Sequence, residues 1–339
     1  MKRTSMTQQT VTRRRVLAAV GASVAGAGLG SSPLSWAQSA YPNRPIKLVV
    51  PWPPGQATDL AARVLAQELT KSMGVAVVIE NKAGAGGTIG TDAVAKATPD
   101  GYTVLAASSG PVTVSPLLQK TPYDVERDLV PIGMMGMSPY ILVTSVDFPA
   151  KDASEFVALV KANPRKYSFA SSGTGATAHL IAESFNAALG LQAVHIPYKG
   201  SIPALTDVIS GQVAYCIETA ASTMPFIRNG RLKAFGVSIE KGSSVAPGIA
   251  PLAVTASVPG GFDLGAWLGL MVPTGTPKPI VEKLSMELSK AMQVSEVKQA
   301  FSTIAVEVDY RKADDLVRYL KVASSQFGEV IKRNNIKLD

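Results

Sequence analysis

Three loops rich in glycine and hydroxyl side chains follow predicted β-strands and could bind an anion. They cover residues 51–59, 108–111 and 171–175. Glycine lets a backbone approach a ligand closely, and serine and threonine add hydrogen-bond donors. The first and third loops also open predicted helices, whose free backbone N–H groups favour negative charge. If the two loops face each other from two halves of a molecule, they form a cleft suited to a small carboxylate.

The same loops have a plainer interpretation. Thr58, Asp59 and Thr174 belong to residue types that commonly occur at the ends of helices, and each of them taken alone fits that role better than ligand binding. The binding interpretation depends on the recurrence of similar loop chemistry in both halves of the chain.

Groups for acid–base, metal or nucleotide chemistry are scarce. The two histidines, His179 and His195, fall inside a predicted helix and a predicted strand, and neither belongs to a metal-binding motif. The glycine-rich segment 84–90 departs by one residue from the dinucleotide fingerprint and lacks its acidic partner, which favours a tight turn. We therefore expect no enzyme and no cofactor. A secreted hydrolase or isomerase, with distant residues brought together in space, stays open as the alternative.

The beginning of the chain predicts export. Arg13, Arg14 and Arg15 precede an almost uncharged stretch at 16–29, and residues 35–37 form a small-x-small cleavage site. This order predicts a twin-arginine signal peptide over residues 1–37 and a periplasmic location. The apolar run is shorter than the ~20 residues of a membrane-spanning helix, which argues against a membrane anchor.

The composition narrows the partners. The chain has 33 basic and 25 acidic residues; residues 1–37 hold five basic residues and no acidic one, which leaves the mature chain a formal charge of +3. Without a basic block, nucleic acid is not an expected partner, and no later apolar stretch predicts insertion into a membrane. The single cysteine, Cys216, lies in an apolar run and predicts a buried thiol.

Short β-rich runs alternate with helical periods along the chain. The βαβαβ order of residues 46–107 predicts a parallel sheet covered by helices, and a second cycle begins near residue 140. We interpret the chain as α/β with two lobes and two crossings, near residues 143 and 266. Lobe 1 comprises residues 41–143 and 266–339, and lobe 2 comprises residues 144–265.

Several segments, in their order along the chain, resemble the substrate-binding receptors of the tripartite tricarboxylate transporters, the Bug family. They are residues 41–51, 53–55 with Asp59, 80–90, 99–103, 171–180, 195–200, 204–207, 211–213, 269–270 and 275–277. The resemblance implies a periplasmic binding protein of the second structural type, with two α/β lobes that close around a small organic acid or amino-acid-like ligand. It also implies delivery of that ligand to membrane transporter subunits. A ligand sensor for a membrane kinase is an alternative use of the same closure.

The resemblance also implies which residues contact the ligand. From lobe 1 they are Pro54, Gly55, Gln56, Thr58, Asp59, Ser108 and Ser109, and from lobe 2 they are Ser172, Gly173, Thr174, Gly175 and Tyr198. Several positions depart from the family pattern. Gln56 stands where a glycine is usual, Ala214 and Tyr215 stand where an acidic residue is usual, Glu218 stands where aspartate is common, and residues 251–255 replace the usual segment before the return strand. We add Glu218 to the predicted site, because Gln56 and Glu218 together favour a ligand with a donor group such as an amine or amide.

Overall fold

The computed structural model of the chain describes residues 41–333 and 335–336. The predicted signal peptide, residues 1–37, lies outside the described residues. The strands are β1 (Ile46–Val50), β2 (Val77–Asn81), β3 (Thr103–Ser108), β4 (Leu129–Ser138), β5 (Tyr140–Ser145), β6 (Ser168–Ser171), β7 (Val194–Pro197), β8 (Tyr215–Thr219), β9 (Leu232–Val237), β10 (Ala266–Pro273) and β11 (Glu307–Lys312). The helices are α1 (Ala57–Met73), α2 (Thr88–Ala95), α3 (Ser115–Leu118), α4 (Val125–Asp128), α5 (Ala153–Ala162), α6 (Thr177–Leu189), α7 (Ser201–Ile209), α8 (Ala220–Arg228), α9 (Leu252–Thr255), α10 (Lys278–Ala291), α11 (Ser295–Thr303) and α12 (Ala313–Arg333).

The strands form two sheets, which we call the first and second sheet, and each sheet with its helices forms one α/β lobe. The first sheet has the order β11-β4-β10-β3-β1-β2, and the second has the order β7-β6-β8-β5-β9. The chain passes from the first sheet to the second between β4 and β5 and returns at β10. Two α/β lobes with two crossings are what the sequence predicts. The residue limits of the lobes remain a prediction.

The parallel pairing predicted for the strands of residues 46–107 is confirmed, and the first sheet also contains antiparallel strands. In the first sheet β2, β1 and β3 are parallel, whereas β10 runs antiparallel to both β3 and β4, and β11 runs antiparallel to β4. The second sheet repeats this arrangement, with β7, β6 and β8 parallel and β5 antiparallel to its two neighbours. Of these antiparallel strands, β5 and β10 lie at the crossings and β11 comes later in the chain, so the βαβαβ order of the first cycle contains none of them.

Successive side chains of a strand point to opposite faces of the sheet, and helices cover both faces. In β1, Leu48 and Val50 pack with α1, α10 and α11, while Val49 between them packs with α2 and α12 on the other face. In β8, Tyr215 packs with α5 and α6, while Cys216 packs with α7 and α8. The buried thiol predicted for Cys216 is confirmed. Strands covered on both faces read as continuous apolar runs, which is why the sequence locates them well.

The glycine-rich segment 84–90 forms a tight turn, as its sequence predicts. Gly86 and Gly87 have φ angles of +63° and +91°, a region that favours glycine. At Gly90 a Cβ atom would lie 2.5 Å from the Lys82 carbonyl oxygen and 2.8 Å from Cα of Pro51. Gly86 and Gly87 therefore allow the turn, and Gly90 allows α2 to pack closely against the end of β1.

Candidate ligand-binding site

A small cavity of about 20 Å³ lies where loops from the two sheets meet. A volume of this size holds one or two water molecules, so the lobes are closed upon each other. Five of the predicted site residues line it: Gln56, Thr58, Ser108, Ser172 and Glu218. The remaining wall consists of Trp52, Ala57, Gly110, Tyr140, Thr177, Ser201, Thr219, Ala266 and Leu268.

Two helices begin at the cavity, one from each lobe. Gln56 is the residue before α1 and has extended backbone angles, and its side chain does not cap the helix. Thr177 is the first residue of α6, and like Gln56 it lies in the cavity wall. Since the first N–H groups of a helix have no partner inside the helix, both ends can donate to an anion. The two opposing helix starts predicted from the sequence are therefore present.

Gln56 lies in the cavity wall, and its side-chain amide nitrogen has no partner. The residue is 6% exposed, and its Nε2 makes no hydrogen bond within the described part of the chain. A buried donor left unpaired costs about 1–3 kcal/mol. Gln56 therefore offers its amide to any acceptor that enters the cavity.

Trp52 and Ser108 form a fixed wall on the side of the first lobe. The indole Nε1 of Trp52 donates to Oγ of Ser108 at 2.9 Å, at the end of β3. Beside them, a Cβ atom on Gly110 would lie only 2.8 Å from Cζ2 of Trp52. The glycine therefore allows the indole to pack closely against the loop after β3, where it borders the cavity.

Glu218 forms the wall on the side of the second lobe. Its Oε1 accepts from the Ser172 N–H at 3.0 Å, and its Oε2 accepts from Oγ of Ser201 at 2.8 Å and from the Thr219 N–H at 3.1 Å. Burial raises the pKa of the Glu218 carboxyl. The hydrogen bonds from Ser172, Ser201 and Thr219 lower it by less, so the pKa stays above its ordinary value. The side chain thus ties the loop before α6 to the start of α7.

Asp59 lies outside the cavity wall and stabilises the loop of the first lobe through hydrogen bonds. Its carboxylate accepts from the Gly55 N–H at 2.9 Å, from Nε and Nη2 of Arg63 at 3.0 and 2.9 Å, and from Nδ2 of Asn81 at 2.7 Å. Burial alone would raise the pKa of Asp59, but these hydrogen bonds and the Arg63 charge bring it below its ordinary value of 3.8. Since Asn81 also donates to the Trp52 carbonyl, the pair holds residues 52–55 in place.

Seven other predicted residues also lie outside the cavity wall in this closed form. Ser109 is fully buried and its hydroxyl accepts from the Trp267 N–H, while Tyr198 donates to Oδ2 of Asp207 at 2.5 Å. The remaining five are loop residues at the edges of the closed cleft: Pro54, Gly55, Gly173, Thr174 and Gly175. Their part in ligand binding, like that of Asp59, remains a prediction.

The two histidines lie behind the second-lobe loop. The rings of His179 and His195 stack with centroids 3.9 Å apart. His195 Nε2 lies 2.7 Å from Oγ of Ser171, and Nδ1 of His179 accepts from the Gly175 N–H at 3.3 Å. Burial, followed by the neighbouring His179, lowers the pKa of His195 to about 3. Both rings therefore brace the loop, and His195 does so as a neutral group at physiological pH.

Contacts between the lobes confirm that the cleft is closed. A Cβ atom on Gly200 of the second lobe would lie 2.8 Å from Cγ of Pro53 and 3.3 Å from Nε2 of Gln56 in the first lobe. On the other side of the cleft, a Cβ atom on Gly86 would lie 3.0 Å from the Thr174 carbonyl oxygen. Nearby, the Ser115 hydroxyl donates to the Gly175 carbonyl at 3.3 Å.

Sequence reasoning missed four polar residues of the wall, namely Tyr140, Thr177, Ser201 and Thr219. Thr219 ends β8, Thr177 begins α6 and Ser201 begins α7. The rule that ligands sit beyond the carboxyl ends of strands could have found these three. Tyr140 begins β5 and pairs with Thr219 in the antiparallel direction, so the same rule would exclude it.

Comparisons with known proteins identify the family of the chain. The family model "Tripartite tricarboxylate transporter family receptor" matches residues 61–336. The chain belongs to this family. It is 37% identical over 326 residues to Protein BugT of Bordetella pertussis, covering 96% of this chain and 98% of BugT. The predicted resemblance to the Bug family is therefore confirmed.

Solved structures of similar proteins support the fold of this receptor. The periplasmic binding protein BugD superposes with a TM-score of 0.82 at 35% identity, covering 88% of this chain and 99% of BugD. MatC from Rhodopseudomonas palustris with bound malate superposes with a TM-score of 0.81 at 32% identity, covering 86% of this chain and 100% of MatC. The predicted periplasmic-binding-protein fold is confirmed. Among the described residues, no helix combines the length and apolar character needed to cross a bilayer.

Proposed function

We propose that this receptor captures a small carboxylate in the periplasm by closing its two lobes, and delivers it to membrane subunits of a tripartite tricarboxylate transporter. The observation that carries the proposal is one cavity shared by two helix starts from opposite lobes. Its wall offers backbone N–H groups, hydroxyls and the unpaired Gln56 amide, but no lysine or arginine. Such a wall suits a carboxylate held by neutral donors.

The relatives support a carboxylate ligand and a periplasmic location. MatC is a family neighbour whose structure holds malate, and BugD is described as a periplasmic binding protein. Arg13, Arg14 and Arg15 with the apolar run that follows them support export and removal of residues 1–37.

The alternative of a secreted hydrolase finds little support in the histidine cluster. Ser171 and His195 do approach to 2.7 Å, as a nucleophile and base would. However, Ser171 is fully buried in β6, and its hydroxyl also accepts from the Gly173 N–H at 3.2 Å. A substrate could not reach this oxygen, so we propose binding without turnover.

A thermal-shift screen with malate, succinate, glutarate, aspartate and glutamate tests the proposal. A ligand at 100 times its Kd adds about 2.7 kcal/mol to the free energy of unfolding, which for a chain of this size raises Tm by roughly 5 °C. The same additions should reduce the radius of gyration measured by small-angle X-ray scattering, because the lobes close.

Two variants sharpen this screen. Gln56→Leu removes the unpaired donor from the cavity and should reduce the ligand-induced shift. Gln299→Leu makes the same change at an exposed position on α11 and should leave it intact. If no carboxylate stabilises the wild-type protein, and mass spectrometry finds no small acid released from protein purified from its periplasm, the proposal is wrong.

A further inference from the structure

We propose that the last part of α12, residues 324–333, is a strap that binds the second lobe only when the cleft is closed. The first part of the helix, residues 313–323, stays on the first lobe in both forms, and we call it the anchored part. The inference rests on the proposed closure of the lobes and adds a device that regulates it. It follows from the different ways in which the two parts of one helix are held.

The anchored part is fixed to the first lobe. It begins directly after β11, an edge strand of the first sheet. Leu316 is fully buried in the interior of this lobe, and Leu320 packs beside it. The ring centroid of Tyr319 lies 4.5 Å from Cζ of Arg311 in β11. We therefore expect the anchored part to move with the first lobe when the cleft opens.

The strap meets the second lobe through apolar side chains. Phe327 is 4% exposed and packs, with Val330 and Ile331, into the aromatic interior of that lobe. Within the described part of the chain, no hydrogen bond or ion pair joins the strap to the second lobe. Its polar side chains instead line a cavity of about 620 Å³ between the strap and the second lobe, namely Gln326, Glu329, Lys332 and Arg333. Since breaking this contact leaves no buried polar group unpaired, the strap can leave the second lobe.

The sequence where the two parts meet favours a bend. Ser324 lines a cavity on the first lobe, whereas Gln326 lines the cavity beside the second lobe, so the helix changes lobes within three residues. Ser325 lies between them and Gly328 follows one turn later. A Cβ atom on Gly328 would meet nothing within 4 Å, so packing does not require this glycine. Because glycine weakens a helix, and serine and glycine are common at kinks, α12 can yield here when the lobes move apart.

Docking of the strap and closure of the cleft should favour each other. If Phe327 leaves water only in the closed form, its burial stabilises that form. By reciprocity, holding the cleft closed should hold the strap on the second lobe. None of the residues in the wall of the ligand cavity belongs to α12. The strap therefore regulates how readily the lobes close without touching the bound molecule.

Hydrogen–deuterium exchange in a protein that can be locked closed tests the inference. A Cβ atom on Gly200 would lie 3.5 Å from Cβ of Pro53, a separation that suits a disulfide. The double variant Pro53→Cys with Gly200→Cys is measured without ligand, once reduced and once oxidised by glutathione disulfide; Cys216 is buried and does not interfere. We expect oxidation to slow the exchange of backbone amides 324–331 at least tenfold, and that of residues 316–320 less than twofold.

Two further substitutions in the same double variant identify the contact. Phe327→Ala should remove the difference between the oxidised and reduced forms, because the strap loses its most buried side chain. Val322→Ala is the control on the same helix, at a side chain that is 56% exposed, and should keep the difference. Should Phe327→Ala fail to fold, Ile331→Ala takes its place, since that side chain is only partly buried in the same interior.

The outcomes separate the inference from the proposed function. If oxidation leaves the exchange of residues 324–331 unchanged, or slows all of α12 equally, the inference is wrong. It is also wrong if the two introduced thiols do not oxidise, because the ligand-free protein then does not reach the closed form. Since no ligand is added, a protein that shows the expected exchange but is stabilised by no carboxylate overturns the proposed function alone.

Discussion

Gly200 lies where the lobes touch, and replacing it with alanine should separate ligand binding from folding. Its φ angle is +118°, and a Cβ atom there would lie 2.8 Å from Cγ of Pro53 across the cleft. Real Cβ atoms almost never approach another atom this closely. Because Pro53 belongs to a rigid loop of the first lobe, the overlap arises only when the cleft is closed.

Two costs follow from this substitution. The backbone conformation is one that residues other than glycine rarely adopt, which costs about 1–3 kcal/mol in open and closed forms alike. The overlap with Pro53 resembles overpacking of a well-packed interior and costs about 1–3 kcal/mol in the closed form only. Since ligand binding requires closure, the second cost should weaken binding roughly 5- to 150-fold.

Gly211 provides the matched control at the other end of α7. Its φ angle is +77°, and a Cβ atom there would meet nothing within 4 Å. Gly211→Ala should lower the free energy of unfolding by about 1 kcal/mol and leave binding unchanged. Denaturant unfolding measures the first quantity. Titration with the acid that gives the largest thermal shift measures the second. If Gly200→Ala binds that acid as tightly as Gly211→Ala does, the closed contact does not limit binding and the reasoning fails.

Three further predictions concern titration and reactivity. Because the pKa of Asp59 lies below 3.8, its ionised form stabilises the fold above about pH 4, and that stability is lost as the pH falls through the folded-state pKa. Asp59→Asn should therefore lower stability at pH 7 and flatten its decline in acid, as measured by urea unfolding. His195 has a pKa of about 3 when folded and 6.5 in its ordinary state, so the unfolded chain takes up the proton first. Stability should fall between pH 6.5 and 3, by at most about 1.4 kcal/mol per pH unit, and His195→Gln should reduce that slope. Burial raises the pKa of the Cys216 thiol, so a thiol reagent should modify it only after the protein unfolds; rapid modification of the native protein would contradict its burial.

The sequence predicts best those elements whose apolar periodicity matches the way they are buried in the structure. The strand at Ile46–Val50 and the helix at Ala153–Ala162 both follow directly from apolar periodicity. The missed strand β4 shows where this agreement ends. It contains Pro131, Gly133 and Gly136, all residues that strands usually avoid. A Cβ atom at Gly136 would lie 2.5 Å from the Glu307 carbonyl oxygen of β11, so the glycine is required by a neighbour more than 150 residues away.

In the site, too, local sequence places residues at the cavity, whereas it does not predict contacts between distant segments. Gln56, Thr58, Ser108 and Ser172 lie at the ends of strands or soon after them, so a rule about strand ends places them at the cavity. Asp59 lies in the first turn of α1, next to Thr58, yet its carboxylate accepts a hydrogen bond from Asn81, the last residue of the adjacent strand, and lies outside the cavity wall. Only the pairing of β1 with β2 brings these two residues together, and spacing along the chain does not reveal it.

For the last helix, α12, periodicity predicts which face is buried but not which lobe covers it. Leu316, Leu320, Phe327 and Ile331 share one face of α12, and the pattern correctly predicts that this face is covered. In the structure, Leu316 packs with Leu320 into the interior of the first lobe, whereas Phe327 and Ile331 pack into the aromatic interior of the second. If the lobes separate and α12 stays with the first lobe, apolar surface around Phe327 becomes exposed. Burying that surface again would then favour the closed form in which the two walls of the cavity meet.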